Sequence, residues 1–107
     1  MELNQYQLIL VQLDPTVGSE IRKTRPCVII SPNEMNHHLR TITIAPLSTS
    51  SKKYPTRILV QHNNQIGYVV LDQIRTIDKA RVIRKFGFLS SMEIKSCKQV
   101  LREIFVD

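Results

Sequence analysis

The sequence predicts a mainly β domain of the α+β class: a small, strongly bent barrel with a short helix after the second strand and a C-terminal amphipathic helix. Short apolar stretches rich in β-branched residues alternate with turn residues, and after residue 90 the apolar spacing changes from that of strands to that of a helix. The 107 residues suffice for one modest core, so we treat residues 1–107 as a single domain.

The strands are predicted from apolar stretches and from the residues that interrupt them. Residues 6–13 (YQLILVQL) are apolar at most positions and end before Asp14 and Pro15, which is typical of a strand buried on both faces. Pro26 is expected to open a second strand, because proline is tolerated at a strand's first residue. Further strands are expected at residues 41–47 and in a hairpin of residues 56–61 and 67–73 that turns at 62–65. Two short strands, residues 75–77 and 81–86, are expected on either side of residues 78–80.

Two helix starts share one chemical pattern. In residues 31–34 (SPNE), serine at the N-cap, proline at the first helical position and glutamate at the third match a capping box, which predicts one or two helical turns. Residues 90–93 (SSME) are a second capping box. After them, apolar side chains recur on one helical face: Ile94, Cys97, Leu101, Ile104 and Phe105.

The positive charges are concentrated in the middle of the chain. The net charge is +6 and the pI is about 9.7, and residues 21–60 contain seven cations against one acid, Glu34. Such a surface attracts a polyanion, although a merely solvated basic face would have the same composition. Charge alone therefore leaves the partner open.

The chain lacks the patterns of membrane and secreted proteins. Its longest apolar run is too short to cross a bilayer, and the acidic start MELNQ differs from a signal peptide. Cys27 and Cys97 are too far apart for a metal-binding pair and are expected to be small apolar side chains. We therefore expect a cytoplasmic protein without a membrane partner.

The sequence does not indicate metal or nucleotide chemistry. His37 and His38 are adjacent and would diverge on a regular element, His62 falls in a predicted turn where it is expected to be solvated, and three glycines cannot form a phosphate loop. No metal and no cofactor are therefore expected. Arginine, hydroxyl and carboxylate groups suit RNA cleavage by the RNA's own 2′-hydroxyl, which needs proton removal, stabilisation of charge on phosphorus and protonation of the leaving oxygen.

Three motifs carry a family resemblance: LDPTVGSEIRKTRPCVIIS at residues 13–31, APLS at 45–48 and LDQIRTID at 71–78. In this order they resemble the MazF/PemK (Kid) family of bacterial toxin endoribonucleases. The resemblance implies an SH3-like β-barrel, a homodimer and sequence-selective, metal-independent cleavage of single-stranded RNA (mRNA) to 2′,3′-cyclic phosphate and 5′-hydroxyl ends. It also implies a cognate antitoxin whose acidic, poorly structured C-terminal tail occupies the RNA groove.

The resemblance also assigns candidate roles to individual residues. The family's catalytic arginine falls on Arg25 and its catalytic threonine on Ser48, with Thr49 beside it as an alternative hydroxyl. Glu20 or Asp72 would be the general base, and the sequence does not choose between them. The residues expected to contact RNA are Gly18, Ser19, Thr49, Lys52 and Gln73.

The sequence departs from the family pattern at three places. Residues 4–6 (NQY) replace an Arg-Gly-Asp-like triplet, Ser48 replaces threonine, and Val70 stands where some relatives have an arginine. Arg25 is therefore expected to carry the cationic role without a second arginine.

Two other classes of function compete with the nuclease. CcdB toxins share the expected fold and poison DNA gyrase without being enzymes, so the fold alone does not establish a nuclease. They use a terminal stretch that contains tryptophan, whereas this chain ends in EIFVD and has none. A non-catalytic RNA-binding module would not need Arg25. The structural alternatives are an Arg25–Glu20 ion pair, a plain loop serine at Ser48 and a turn-bracing carboxylate at Asp72.

Overall fold

The computed structural model describes residues 2–12, 24–49, 53–62 and 65–106. These residues form seven β-strands, two α-helices and two 3₁₀ turns. The strands are β1 (Gln7–Gln12), β2 (Thr24–Ile29), β3 (Thr41–Ser48), β4 (Arg57–His62), β5 (Gln65–Val70), β6 (Arg75–Asp78) and β7 (Val82–Phe88). The helices are α1 (Asn33–Asn36) and α2 (Ser91–Phe105), and the 3₁₀ turns are Leu71–Gln73 and Lys79–Arg81.

One antiparallel sheet forms the body of the fold. Its strand order is β4-β5-β3-β2-β1-β7, and β6 pairs with β3 outside this path. β3 has eight residues and changes partner along its length, pairing first with β6, then with β2, and finally with β5 through Leu47 and Ser48. This change of partner curls the sheet into a half-barrel. The mainly β fold with one short helix and a C-terminal helix is confirmed.

β1 carries buried side chains on both faces of the sheet. Leu8 belongs to an apolar cluster that includes Cys97 of α2, whereas Ile9 and Val11 pack in a second cluster with Ile42. The predicted burial of this strand on both faces is thus confirmed. β1 therefore gives its two neighbours, β2 and β7, a rigid base.

α2 begins with the predicted capping box. The Glu93 backbone N–H donates to Ser90 Oγ at 3.2 Å, and the Ser90 N–H donates to Glu93 Oε1 at 2.8 Å. Cys97 and Val100 are buried against the sheet, which confirms the amphipathic helix. No helix in the described residues is long and apolar enough to cross a membrane.

The capping box predicted at Ser31 is wrong. α1 is a single turn whose N-cap is Pro32, and no side chain caps it. Ser31 is instead buried: its hydroxyl bonds the Asn36 side chain and accepts the Thr43 N–H at 3.0 Å. The serine therefore joins α1 to β3, because a buried hydroxyl needs partners on more than one side.

Two predicted strand limits are also wrong. β2 begins at Thr24 and not at Pro26, so Arg25 lies on the strand. The second arm of the hairpin ends at Val70, because Leu71–Gln73 form a 3₁₀ turn. The predicted end of the first strand, Leu13, lies outside the described residues.

Candidate active site

Arg25 is presented by a well-anchored strand. It lies opposite Val11 of β1, which is fully buried, and two residues before the fully buried Cys27. The Cys27 thiol donates to the Arg25 carbonyl oxygen at 3.7 Å. The Arg25 side chain is exposed and has no hydrogen bond or ion pair within the part of the chain that the structure describes. The strand therefore fixes its backbone and leaves its guanidinium at the surface.

The register of the sheet relates Arg25 to Ser48. Cys27 pairs with Pro46, and the following residues of β2 keep the same antiparallel register with β3. The observed pairs end at Cys27 and Pro46; Arg25 lies two residues before Cys27 near the start of β2, and Ser48 lies two residues after Pro46 as the half-buried last residue of β3. The two residues that the sequence predicts as catalytic therefore lie at the same end of adjacent strands.

Gly67 of β5 supports the segment that carries both candidate hydroxyls. Ser48 pairs with Tyr68, the residue that follows this glycine. A Cβ at Gly67 would lie 3.3 Å from the Ser48 carbonyl oxygen and 3.8 Å from Thr49 Cγ2. A larger residue would push against this segment, so glycine permits the close approach of β5 and β3.

Two arginines act on the Cys27 thiol. Burial raises the pKa of the Cys27 thiol to about 12, and the charges of Arg25 and Arg75 oppose that rise. Both guanidiniums therefore affect the pKa of the same thiol. Arg75 lies on β6 opposite Ile44 and is exposed. The sequence analysis did not single it out, because only the pairing of β6 with β3 brings it close to Cys27.

Asp72 is engaged in a local network. Its Oδ1 accepts the Thr56 hydroxyl at 3.0 Å and Arg57 Nε at 3.3 Å, and its Oδ2 accepts Arg57 Nη2 at 3.4 Å. Arg57 also lies over the Tyr54 ring, with Cζ 4.6 Å from the centroid. The hydrogen bond from Arg57 is the main reason that the pKa of Asp72 is lowered from its usual value. A lowered pKa makes this carboxylate a weaker base.

Asp72 follows the strand that pairs with Ser48. Tyr68 lies opposite Ser48, and Asp72 comes four residues later, in the 3₁₀ turn after β5. Gln73 is exposed beside Asp72. The other site candidates, Gly18, Ser19, Glu20 and Lys52, lie outside the described residues.

A pocket of ≈ 80 Å³ lies beside Ser48. Pro26, Ser48, Gly67 and His62 are among its lining residues. The prediction that His62 is a solvated turn residue is wrong: it is the last residue of β4, half-buried, and its ring packs 5.5 Å from that of Phe86. No sequence pattern indicates this contact, because the ends of β4 and β7 meet only when the sheet curls.

The comparison with known families agrees with this geometry. Residues 4–105 match the family described as PemK-like, MazF-like toxin of type II toxin-antitoxin system. The chain belongs to this PemK/MazF toxin family. The resemblance expected from the three sequence motifs is thereby confirmed.

Curated members of the PemK/MazF family are similar over most of the chain. The endoribonuclease toxin MazF of Escherichia coli (strain K12) is 34% identical over 92 residues, covering 85% of this chain and 83% of the relative. Endoribonuclease MazF of Staphylococcus saprophyticus is 30% identical over 98 residues, covering 86% and 82%. The expected relationship to endoribonucleases is confirmed.

Solved structures of PemK/MazF proteins share the fold. The Mycobacterium tuberculosis toxin MazF-mt6 superposes with a TM-score of 0.77 at 24% identity, covering 92% of this chain and 95% of that chain. An endoribonuclease in complex with its cognate antitoxin, from Mycobacterial species, has a TM-score of 0.80 at 22% identity, covering 94% and 92%. At these identities the likeness shows the fold.

Proposed function

We propose that this PemK/MazF protein is a metal-independent endoribonuclease that cleaves single-stranded RNA, including mRNA, in a sequence-selective way. The observation that carries this proposal is that an exposed arginine, Arg25, and the hydroxyl-bearing end of β3 at Ser48 lie at the same end of two paired strands. The named endoribonuclease relatives at 30–34% identity support it. The products would be a 2′,3′-cyclic phosphate and a 5′-hydroxyl, because the nucleophile is the RNA's own 2′-hydroxyl.

Arg25 would stabilise the charge that develops on phosphorus. Its guanidinium can donate two N–H groups to the phosphate oxygens, and the anchored strand holds it in place before the substrate arrives. A hydroxyl of Ser48 or Thr49 would donate to the same phosphate. After the 5′-oxygen leaves, Arg25 is also placed to donate a proton to it, as its second role.

The general base would be a carboxylate, Glu20 or Asp72. The Asp72 carboxylate already accepts hydrogen bonds from Thr56 and Arg57, and its lowered pKa weakens it as a base. This argument favours Glu20. Asp72 would then hold the β4–β5 hairpin through Arg57.

Two protein partners are proposed. An antitoxin with an acidic tail would bind the positive end of the sheet around Arg25 and Arg75 and compete with RNA there. A second copy of the chain would cover the apolar groove at the end of α2, where Phe105 and Val106 are 68% and 74% exposed. We place the toxin and its RNA substrate in the cytoplasm.

Digestion of a long RNA by the purified protein with EDTA present tests the nuclease. We expect cleavage at a limited set of sequences, with cyclic phosphate ends identified by mass. A protein that binds RNA but leaves it intact would be a non-catalytic module. Intact RNA together with inhibition of DNA gyrase would instead point to a CcdB-like poison.

A further inference from the structure

The pocket beside Ser48 adjoins the candidate active site. It lies between the β4–β5 hairpin and β7, and its volume is ≈ 80 Å³. Pro26, which follows Arg25, lines one side, and Gly67, which packs against Ser48, lines another. A group that enters this pocket would therefore be attached close to anything bound by Arg25 and Ser48.

Aromatic side chains form one corner of the pocket. The rings of His62 and Phe86 have centroids 5.5 Å apart and planes tilted by 54°. Outside this corner, the Arg84 guanidinium lies over the Phe86 ring, with Cζ 5.7 Å from the centroid. Proteins bind the unpaired bases of single-stranded RNA against aromatic rings with cations nearby; the corner supplies the rings and Arg84 supplies a cation next to it.

His62 also holds a polar atom without a partner. Its Nε2 exposes less than 1 Å² and has no hydrogen bond among the residues that the structure describes. The ring is held close to β7: a Cβ at Gly87 would lie 2.9 Å from His62 Cε1, and this glycine has a φ of 125°. Buried polar atoms normally have partners, so an orphan beside a pocket indicates that a ligand supplies the partner.

We propose that this pocket binds one nucleobase of the RNA beside the scissile phosphate and that His62 Nε2 hydrogen-bonds to the edge of that base. The proposal rests on the ribonuclease function proposed above. Nε2 lies close to Gly87 of β7, so this hydrogen bond requires the His62 ring to turn toward the pocket, where the base would also contact Phe86. His62 is in this way a specificity-determining residue.

The size and polarity of the pocket define the ligand. A cavity of about 150 Å³ encloses benzene, so a pocket of ≈ 80 Å³ takes the edge of one ring and favours a pyrimidine over a purine. An apolar side chain of a protein partner would leave Nε2 unpaired. The nucleobase is the better match because its edge carries both hydrogen-bond donors and acceptors.

The base preference at the cut site tests this assignment. Wild type and His62→Ala digest the same long RNA with EDTA present, and the 5′ ends of the fragments are mapped. We expect wild type to prefer a pyrimidine at one position flanking the cut by at least about fivefold. His62→Ala should lose this preference and keep the base preferences at the other positions. His62→Gln, which keeps a hydrogen-bonding side chain, restores part of it. His38→Ala, at an exposed histidine, is the matched control and leaves the pattern unchanged.

A binding experiment separates the pocket from the nuclease. RNA oligonucleotides with 2′-deoxyribose at the cut position lack the nucleophile, so their Kd can be measured by fluorescence anisotropy whether or not the protein cleaves RNA. One abasic site is moved along the strand. At the pocket position it should weaken binding to wild type at least about fivefold and change binding to His62→Ala little.

Each outcome bears on one of the two proposals. An abasic effect that depends on His62, with no cleavage of natural RNA, supports the pocket and refutes the nuclease. Cleavage with the same base preferences in wild type and folded His62→Ala overturns the pocket. A third result also overturns it: His62→Ala binds an acidic antitoxin peptide more weakly than wild type does, while the abasic site has the same effect on both proteins. The occupant of the pocket would then be a protein.

Discussion

Arg25 and Arg57 show what distinguishes an arginine that can act on a ligand from one that supports the fold. The Arg57 side chain is 18% exposed, donates to both oxygens of Asp72 and lies over Tyr54. The Arg25 side chain is exposed and has no such partner in the described parts of the chain. The two side chains are chemically identical, but their surroundings differ: Arg57 supports the fold, whereas Arg25 is exposed.

Strand register explains this difference. Arg57 opens β4 opposite Val70, so the carboxylate of Asp72, two residues further on, is within reach of its guanidinium. Arg25 pairs with the apolar Val11 of β1, and no ion pair to it is found among the residues that the structure describes. A variant of Arg25 should therefore lower the rate of RNA cleavage, whereas a variant of Arg57 should lower the stability of the fold.

Arg25→Ala should have the largest effect on activity. Loss of one transition-state donor lowers the rate by on the order of a hundred- to a thousandfold. Arg25→Lys should not restore the rate, because lysine lacks the planar guanidinium that donates two N–H groups to two phosphate oxygens. A fluorogenic RNA oligonucleotide with EDTA present measures the rate, and circular dichroism confirms that each variant is folded.

Arg57→Ala is the matched control for that experiment. It removes the same side chain from the same sheet, so it should lower the free energy of unfolding by up to about 1 kcal/mol while most of the RNA cleavage remains. If Arg57→Ala abolished cleavage and folded Arg25→Ala cut at the wild-type rate, the roles given to the two arginines would have to be exchanged.

The two hydroxyls beside Arg25 should have the next largest effect. A hydrogen bond to a charged group is worth about 1.5–3 kcal/mol, so Ser48→Ala with Thr49→Ala should lower the rate roughly ten- to hundredfold. Either single variant should be milder if the other hydroxyl can donate to the phosphate. The same fluorogenic assay measures all three proteins, and a double variant as active as wild type would exclude a role for either hydroxyl.

The apolar end of α2 should determine the oligomeric state. Light scattering is expected to give about twice the 12.4 kDa chain mass for the wild type and the single-chain mass for Phe105→Glu, because the charge would enter an apolar interface. Met92→Glu is the matched control, since Met92 is 75% exposed near the start of α2. A Phe105→Glu protein that stays dimeric would place the interface elsewhere.

The sequence predicts those features that depend on local pattern. The capping box at Ser90, the helical face around Cys97 and the two-sided burial of the strand predicted at residues 6–13 follow from residue spacing, and the structure confirms them, the strand as far as Gln12. Arg25 and Ser48 are predicted through motif order, and the strand pairing puts them at the same end of β2 and β3; their catalytic roles stay a prediction.

Features that depend on distant parts of the chain could not be predicted. The hydroxyl of Ser31 bonds Asn36 and β3 and does not cap α1, because the position of β3 decides its partners. His62 is packed on Phe86 because the curled sheet brings the ends of β4 and β7 together. The ion pair of Asp72 likewise depends on the register of the β4–β5 hairpin.

Asp72→Asn should have the smallest effect, and it separates the two candidate bases. The isosteric amide keeps an acceptor for Thr56 and loses the ion pair with Arg57. If Asp72 were the general base, the rate would fall on the order of a hundredfold or more. We expect a change of less than about tenfold, because the carboxylate is already engaged by Arg57 and Thr56.

The stability of Asp72→Asn should depend on pH in a defined direction. Arg57 lowers the pKa of Asp72 in the folded state, so the ion pair stabilises the fold above the usual carboxyl pKa and this contribution is lost as the pH falls through the lowered value. The side chain is 37% exposed, so the difference from wild type in urea unfolding should not exceed about 1 kcal/mol at neutral pH. That difference should shrink below a pH of about 4. Glu34→Gln removes one charge from an exposed carboxylate and should show no such trend; a trend equal to that of Asp72→Asn would attribute the effect to net charge and not to the Arg57 contact.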